Sequence, residues 1–104
     1  MKYMKKWCLK IRIKKNDSVK GKLIRISILE ILKEAKISGA TVWIGIGGYG
    51  KRGKSDIQIE GITINMPLMI EVIDELEKIE SILPQIKDLV EDNGMITVHE
   101  VEVI

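Results

Sequence analysis

Between residues 4 and 14 the chain alternates: Trp7, Leu9, Ile11 and Ile13 fall on one side, Cys8, Lys10, Arg12 and Lys14 on the other. A two-residue period is that of a β-strand, and a strand with one apolar face requires a layer packed on that face alone. Two later segments supply such a layer. Ile24, Ile28, Ile31, Leu32 and Ala35 recur at helical spacing, and so do Ile79, Ile82, Leu83, Ile86, Leu89 and Val90. Each set is the apolar stripe of an amphipathic helix. The turn chemistry of Asn16-Asp17-Ser18 is expected to start the first helix, which runs through about residue 36 and closes at Ser38-Gly39. Asp74 is expected to cap the second helix, Pro84 to kink or locally break it, and Asn93-Gly94 to end it.

Three further strands are expected. Residues 40–46 are apolar at nearly every position, which implies burial on both faces. Residues 57–64 continue in extended form, with Gly61 shifting the phase as a bulge does, and residues 67–73 form the third strand, opened by Pro67. Residues 95–103 form the last, and a change of apolar parity between Val98 and Val101 suggests a bulge near His99. The order is β-α-β-β-α-β. Right-handed crossovers place both helices on one face of an antiparallel sheet, the ferredoxin-like α+β sandwich, with the first strand between the third and the fourth.

That topology bears on a strong charge asymmetry. Residues 1–54 carry 15 Lys/Arg against 3 Asp/Glu, and residues 55–104 carry 2 against 12, within a net charge of +2. A basic half alone suggests nucleic acid. In this sheet, however, Lys10, Arg12 and Lys14 are expected beside Glu71, Glu100 and Glu102, so the asymmetry reads as pairing within or between chains rather than as a nucleic-acid surface. The sheet also lacks the stacked aromatics of an RNA-recognition motif. A length of 104 residues fits one domain, residues 1–104. The single Cys8 excludes an intrachain disulfide, and the basic start lacks the long apolar run of a secretory signal, so a cytoplasmic protein is expected.

The one stretch that resembles a ligand site is Gly45-Ile46-Gly47-Gly48-Tyr49-Gly50-Lys51-Arg52-Gly53-Lys54. Five of the chain's nine glycines and three cations lie within it. Glycine allows the main chain to turn and approach closely, and clustered amides beside Lys and Arg suit an anion. Gly48 to Ser55 matches the spacing G-x-x-x-x-G-K-S of a phosphate loop, but Asp56-Ile57-Gln58-Ile59 alternates as a strand where a helix should begin. The expected ligand-binding residues are Gly47, Gly48, Tyr49, Gly50, Lys51, Arg52 and Lys54; the competing reading is a surface loop whose glycines only make turns. Tyr49 can stack on a base or pack on a neighbouring subunit. Trp43 and Trp7 are assigned to the core or a subunit interface, Cys8 to sheet packing, and His99 to a structural or surface role. Neighbouring strand residues face opposite ways, so His99 and Glu100 do not readily share a metal. No acid–base carboxylate pair, Ser-His-Asp set or metal motif is legible, so neither catalytic residues nor a cofactor are expected.

Gly21-Lys22, Gly39-Ala40-Thr41-Val42, Gly45 to Gly50, Pro67-Leu68, Lys78-Ile79-Glu80 with Leu83-Pro84, and Ile96-Thr97-Val98 resemble, in order, the uncharacterised prokaryotic family called domain of unknown function 190, whose members look like the PII signalling proteins. The resemblance implies a PII-like homotrimer that is not an enzyme. It implies a loop after the second strand that contacts a target protein, a membrane transporter being one such partner without insertion of this chain. It also implies a small anionic effector or nucleotide held at the loop base between subunits. Three places depart from PII: Arg52 or Gly53 stands near a glutamine that helps hold adenine nucleotide, Asn93-Gly94-Met95 has no cation, and His99 with glutamates replaces phosphate-binding arginines. The resemblance therefore supports fold and trimer further than ATP. The alternative is a trimeric divalent-cation tolerance protein, with His99 and carboxylates of neighbouring chains as ligands.

Overall fold

The computed structural model describes residues 1–51, 53–56 and 65–104. The alternating segment forms β1 (Met4–Lys14). A turn then leads into a short ladder of β2 (Ser18–Val19) with β3 (Lys22–Leu23), followed by α1 (Ile24–Glu34). Next come β4 (Thr41–Ile44), β5 (Gly47–Gly50), β6 (Gly53–Asp56), β7 (Pro67–Asp74), α2 (Leu76–Val90) and β8 (Met95–Val103). The main sheet has the order β4-β7-β1-β8 with every pair antiparallel, so the first strand lies between the third and last of its four, as expected. Leu9, Ile11 and Ile13 of β1 and Leu68, Ile70 and Val72 of β7 share one core with Ile24, Ile28 and Leu32 of α1 and Ile79, Ile82, Ile86 and Val90 of α2. Both helices therefore cover one face, the ferredoxin-like arrangement, and the other face is open.

Several local expectations are corrected. Asn16-Asp17-Ser18 does not start α1. Asp17 instead closes a turn by accepting the Lys14 N–H on Oδ2 at 2.9 Å, and Lys20 (φ 52) with Gly21 (φ 78) turns the β2–β3 ladder. Positive φ at both central residues is what a tight two-residue hairpin demands. Helix α1 closes at Lys36 rather than at Gly39. Ala35 is the C-cap, Lys36 adopts φ 58, and the Lys36 and Ile37 amides donate to the carbonyls of Lys33 and Leu32, each at 3.0 Å. This is a Schellman closure with a lysine where glycine is usual.

Strand β4 is not buried on both faces: it is the sheet margin, exposed along all four residues, and Trp43 is 52% exposed rather than core. Trp7 is packed against the core. Asp74 is the last residue of β7, one position before the N-cap Glu75. Helix α2 runs unbroken across Pro84. No bulge occurs at His99, because the β1–β8 register is continuous from Met4↔Val103 to Arg12↔Met95. The parity change is a change of face: Ile96 and Val98 lie with Ile11 and Leu9 on the helix side, whereas Val101 and Val103 lie opposite Lys6 and Met4 on the open side. For the same reason only Lys10 finds its expected partner, Glu71; Glu100 and Glu102 oppose Trp7 and Lys5 on the helix side. Lys5 forms the ion pair with Glu100, at 3.9 Å. The extended stretch at 57–64 and the bulge at Gly61 lie outside the described residues.

Candidate functional site

The glycine-rich stretch is a hairpin rather than an irregular loop. Strands β5 and β6 pair Gly47↔Asp56, Gly48↔Ser55, Tyr49↔Lys54 and Gly50↔Gly53. The extended backbone of Gly53–Asp56 also removes the helix that a phosphate loop of this spacing would need. The hairpin is anchored at its foot, where the Gly45 amide donates to the Pro67 carbonyl at 2.8 Å. A Cβ on Gly45 would meet the Pro67 ring at 3.0 Å, so this close approach favours glycine.

Beneath the hairpin lies a pocket of about 460 Å³, lined by Arg12, Ile13 and Lys14 of β1, Gly48, Tyr49, Gly50 and Lys51 of the hairpin, Pro67 of β7, and Asn93, Gly94 and Met95 of the turn before β8. Among the described residues, three cations line it and no carboxylate does. Arg12 and Lys51 form no ion pair among the described residues. Cations gathered in one place repel one another, and a bound anion relieves that repulsion. Tyr49 is 92% exposed, leaving its ring free to lie against a planar group. A second cavity of about 350 Å³, lined in part by Trp43, Gly47 and Met69, shares Arg12, Ile13 and Pro67 with the first.

Of the residues expected to bind ligand, Gly48, Tyr49, Gly50 and Lys51 line the pocket and Gly47 lines the adjoining cavity. Lys54 stands opposite Tyr49 in the ladder, and Arg52 lies outside the described residues. Arg12 and Lys14 were expected to pair with sheet acids and instead face the hairpin. The strand register explains this, because their cross-strand neighbours are Met69 and Met95 for Arg12 and Pro67 for Lys14. A sequence signal existed: β1 alternates three cations, and β7 offers one acid, Glu71, on the matching parity. The turn Asn93-Gly94-Met95 also enters the pocket wall. A Cβ on Gly94 would lie 2.3 Å from the Arg12 carbonyl oxygen and 2.8 Å from Val90 Cγ1, so glycine lets this turn press against β1 and α2.

Two other groups are chemically notable. Cys8 sits on the open face yet is only 2% exposed, directly between Ile73 and His99 in the sheet. Burial, with a smaller push from Glu71, raises its thiol pKa, which favours the unreactive protonated form. Among the described residues no three His, Cys, Asp or Glu side chains gather as metal ligands. Burial pushes the Asp74 carboxyl pKa up, but amide donation from Ser38 at 2.9 Å and Glu75 at 2.7 Å, with Lys78 nearby, outweighs burial and holds the pKa below its ordinary value. Asp74 thus ties the chain after α1 to the start of α2. Among the described residues no helix is long and apolar enough to cross a membrane.

Comparison with known proteins bears out the expected resemblance. The family model of DUF190, described as Uncharacterized ACR, COG1993, matches residues 6–103. A UPF0166 protein of Methanocaldococcus jannaschii is 39% identical over 95 residues, spanning 91% of this chain and 88% of that protein. A UPF0166 protein of Aquifex aeolicus is 38% identical over 105 residues, spanning 100% and 98%. Among solved structures, CPII from Thiomonas intermedia K12, a nitrogen regulatory PII-like protein bound to ADP, AMP and bicarbonate, superposes with a TM-score of 0.77 at 18% identity, over 98% of this chain and 91% of that one. At that identity the likeness is one of fold.

Proposed function

This chain belongs to the DUF190 family, and from that premise we propose that it is a non-enzymatic PII-like regulatory protein, one domain over residues 1–104, acting as a cytoplasmic homotrimer. A small anionic effector, a nucleotide in the first instance, binds in the pocket beneath the hairpin, and the hairpin contacts a target protein. The observation that carries this reading is the meeting of Arg12, Lys14 and Lys51 in one pocket, beside an exposed Tyr49. The binding of ADP, AMP and bicarbonate by CPII supports it, since all three are anions held on the same fold.

Each part of the site has a role in this reading. Arg12 presents a planar fork suited to paired oxygens, while Lys14 and Lys51 act as point charges from opposite walls. The amides of Gly47, Gly48 and Gly50 add donors, and Tyr49 offers a face for a base. A ligand touching both β1 and the hairpin binds more tightly to one hairpin position than to others. It therefore shifts the hairpin population and so what the hairpin can bind. Calorimetry with AMP, ADP, ATP and bicarbonate tests the proposal. The expected result is saturable binding of at least one nucleotide, weakened about tenfold or more by Arg12→Ala. Absence of binding by every member of the panel and by other phosphorylated metabolites overturns it.

A further inference from the structure

An indole, a thioether and a guanidinium stand in one row across the open face of the sheet. Trp43 of β4 pairs with Met69 of β7, and Met69 pairs with Arg12 of β1. Directly opposed residues of an antiparallel pair hold their Cβ atoms about 5 Å apart, so Trp43 and Arg12 flank Met69 with about 10 Å between their points of attachment. The row lines the cavity of about 350 Å³ that adjoins the effector pocket. Gly45 and Gly47, also on its lining, bring no side chain to fill it. Among the described residues Arg12 is the one charged side chain lining this cavity; the remaining walls are aromatic, aliphatic, thioether and main chain.

The cavity is therefore chemically unlike its neighbour. The pocket beneath the hairpin gathers three cations among the described residues, which suits an anion of several charges. One cation at the edge of an apolar slot suits a single negative charge carried on a flat apolar body. The guanidinium presents paired N–H donors that match the two oxygens of a carboxylate. An indole face and a thioether both attract an aromatic ring, by offset stacking and by sulfur contact. Arg12 is exposed and Trp43 half-exposed, so an ion pair alone contributes little, and so does partial burial of a ring alone. A guest needs both halves at once.

We infer that this cavity is a second binding site, selective for small aromatic monocarboxylates, with the ring laid across Met69 against Trp43 and the carboxylate on Arg12. The same guanidinium walls both cavities. A guest in one draws it from the other, so the two anions weaken each other's binding by the same factor. The site itself stands on the row of side chains, and only this coupling rests on the nucleotide reading above.

Benzoate titrated into the isotope-labelled full chain tests the site by nuclear magnetic resonance. The chain has two indole N–H signals, from Trp7 and Trp43, told apart by the loss of one in Trp43→Phe. The expected result is a saturable shift of the Trp43 signal in the millimolar range or below, with Trp7 steady. Benzamide keeps the ring without the charge, and acetate keeps the charge without the ring; each is expected to bind at least about tenfold more weakly than benzoate. Trp43→Ala, read at the Met69 amide, is expected to weaken benzoate binding by a similar factor while AMP affinity by calorimetry is unchanged. Saturating AMP is expected to raise the apparent Kd of benzoate, and benzoate that of AMP, equally. A Trp43 signal that benzoate leaves in place, or that benzamide, acetate or adenosine moves as readily, overturns the site. Equal benzoate affinity with and without bound AMP overturns the sharing of Arg12. A protein that binds benzoate as described but no nucleotide supports the second site and overturns the nucleotide reading instead.

Discussion

Lys36 and Asp74 show how single residues carry the connections between layers. Lys36 holds a left-handed conformation that costs a side-chain-bearing residue about 1–2 kcal/mol, and glycine adopts it freely. The Lys36 carbonyl also accepts from Lys78 Nζ at 3.0 Å, a backbone contact that glycine would keep. Lys36→Gly is therefore expected to stabilise the protein by about 1 kcal/mol, read as a higher urea midpoint at unchanged slope. Asp74, 6% exposed, accepts two amide donors as a carboxylate, and Asp74→Ala should cost roughly 2–3 kcal/mol in the same measurement. The pH dependence has a definite sign. The folded pKa of Asp74 lies below its ordinary value of 3.8, so its stabilisation is complete above the unfolded value and is lost as pH falls through the folded one. Acid unfolding should accordingly be shallower in Asp74→Asn than in wild type over that window. An Asn variant with the wild-type acid profile would remove Asp74 from this account.

The elements differ in how openly the sequence declares them. Strand β1 was legible to the residue because one face is core and the other charged, so period and burial agree. The stripes of α1 and α2 were legible for the same reason. Strand β4 was misread because a continuous apolar run looks the same whether it is buried in its own sheet or left at a margin; only the strand order separates the two. At β8 a face switch imitated a bulge, since Glu100 and Glu102 lie on the helix side beyond the reach of the core. The hairpin announced itself by glycines and cations, but Arg12, Lys14 and the Asn93–Met95 turn joined the site through strand register and backbone approach, which no local pattern records. The packing of that turn allows a sharp test. Gly94→Ala would drive a methyl into the Arg12 carbonyl and Val90, and overpacking of this kind costs about 1–3 kcal/mol. The expected result is a stability loss of that size together with weakened nucleotide binding, because the same turn walls the pocket.

For the molecule as a whole, the basic first half and acidic second half are only partly reconciled within one chain. Described ion pairs join Lys5 to Glu100, Lys6 to Glu75 and Lys22 to Glu30, while Arg12 and Lys51 are left facing the pocket. Added salt screens such fields, with a screening length near 8 Å at physiological ionic strength. Nucleotide affinity is therefore expected to fall steadily as sodium chloride is raised, while Arg12→Ala flattens that slope. Equal salt slopes in the two proteins would place the ligand elsewhere. The cavity adjoining the pocket adds a practical consequence. Arg12 is a wall common to both, and Trp43 lines the second. Displacing the guanidinium toward a guest alters the surroundings of a half-exposed indole, while the other indole, Trp7, stays packed against the core. Occupancy should thus register as a change in intrinsic emission from one tryptophan over a steady background from the other, giving the molecule a built-in optical gauge of its own ligand.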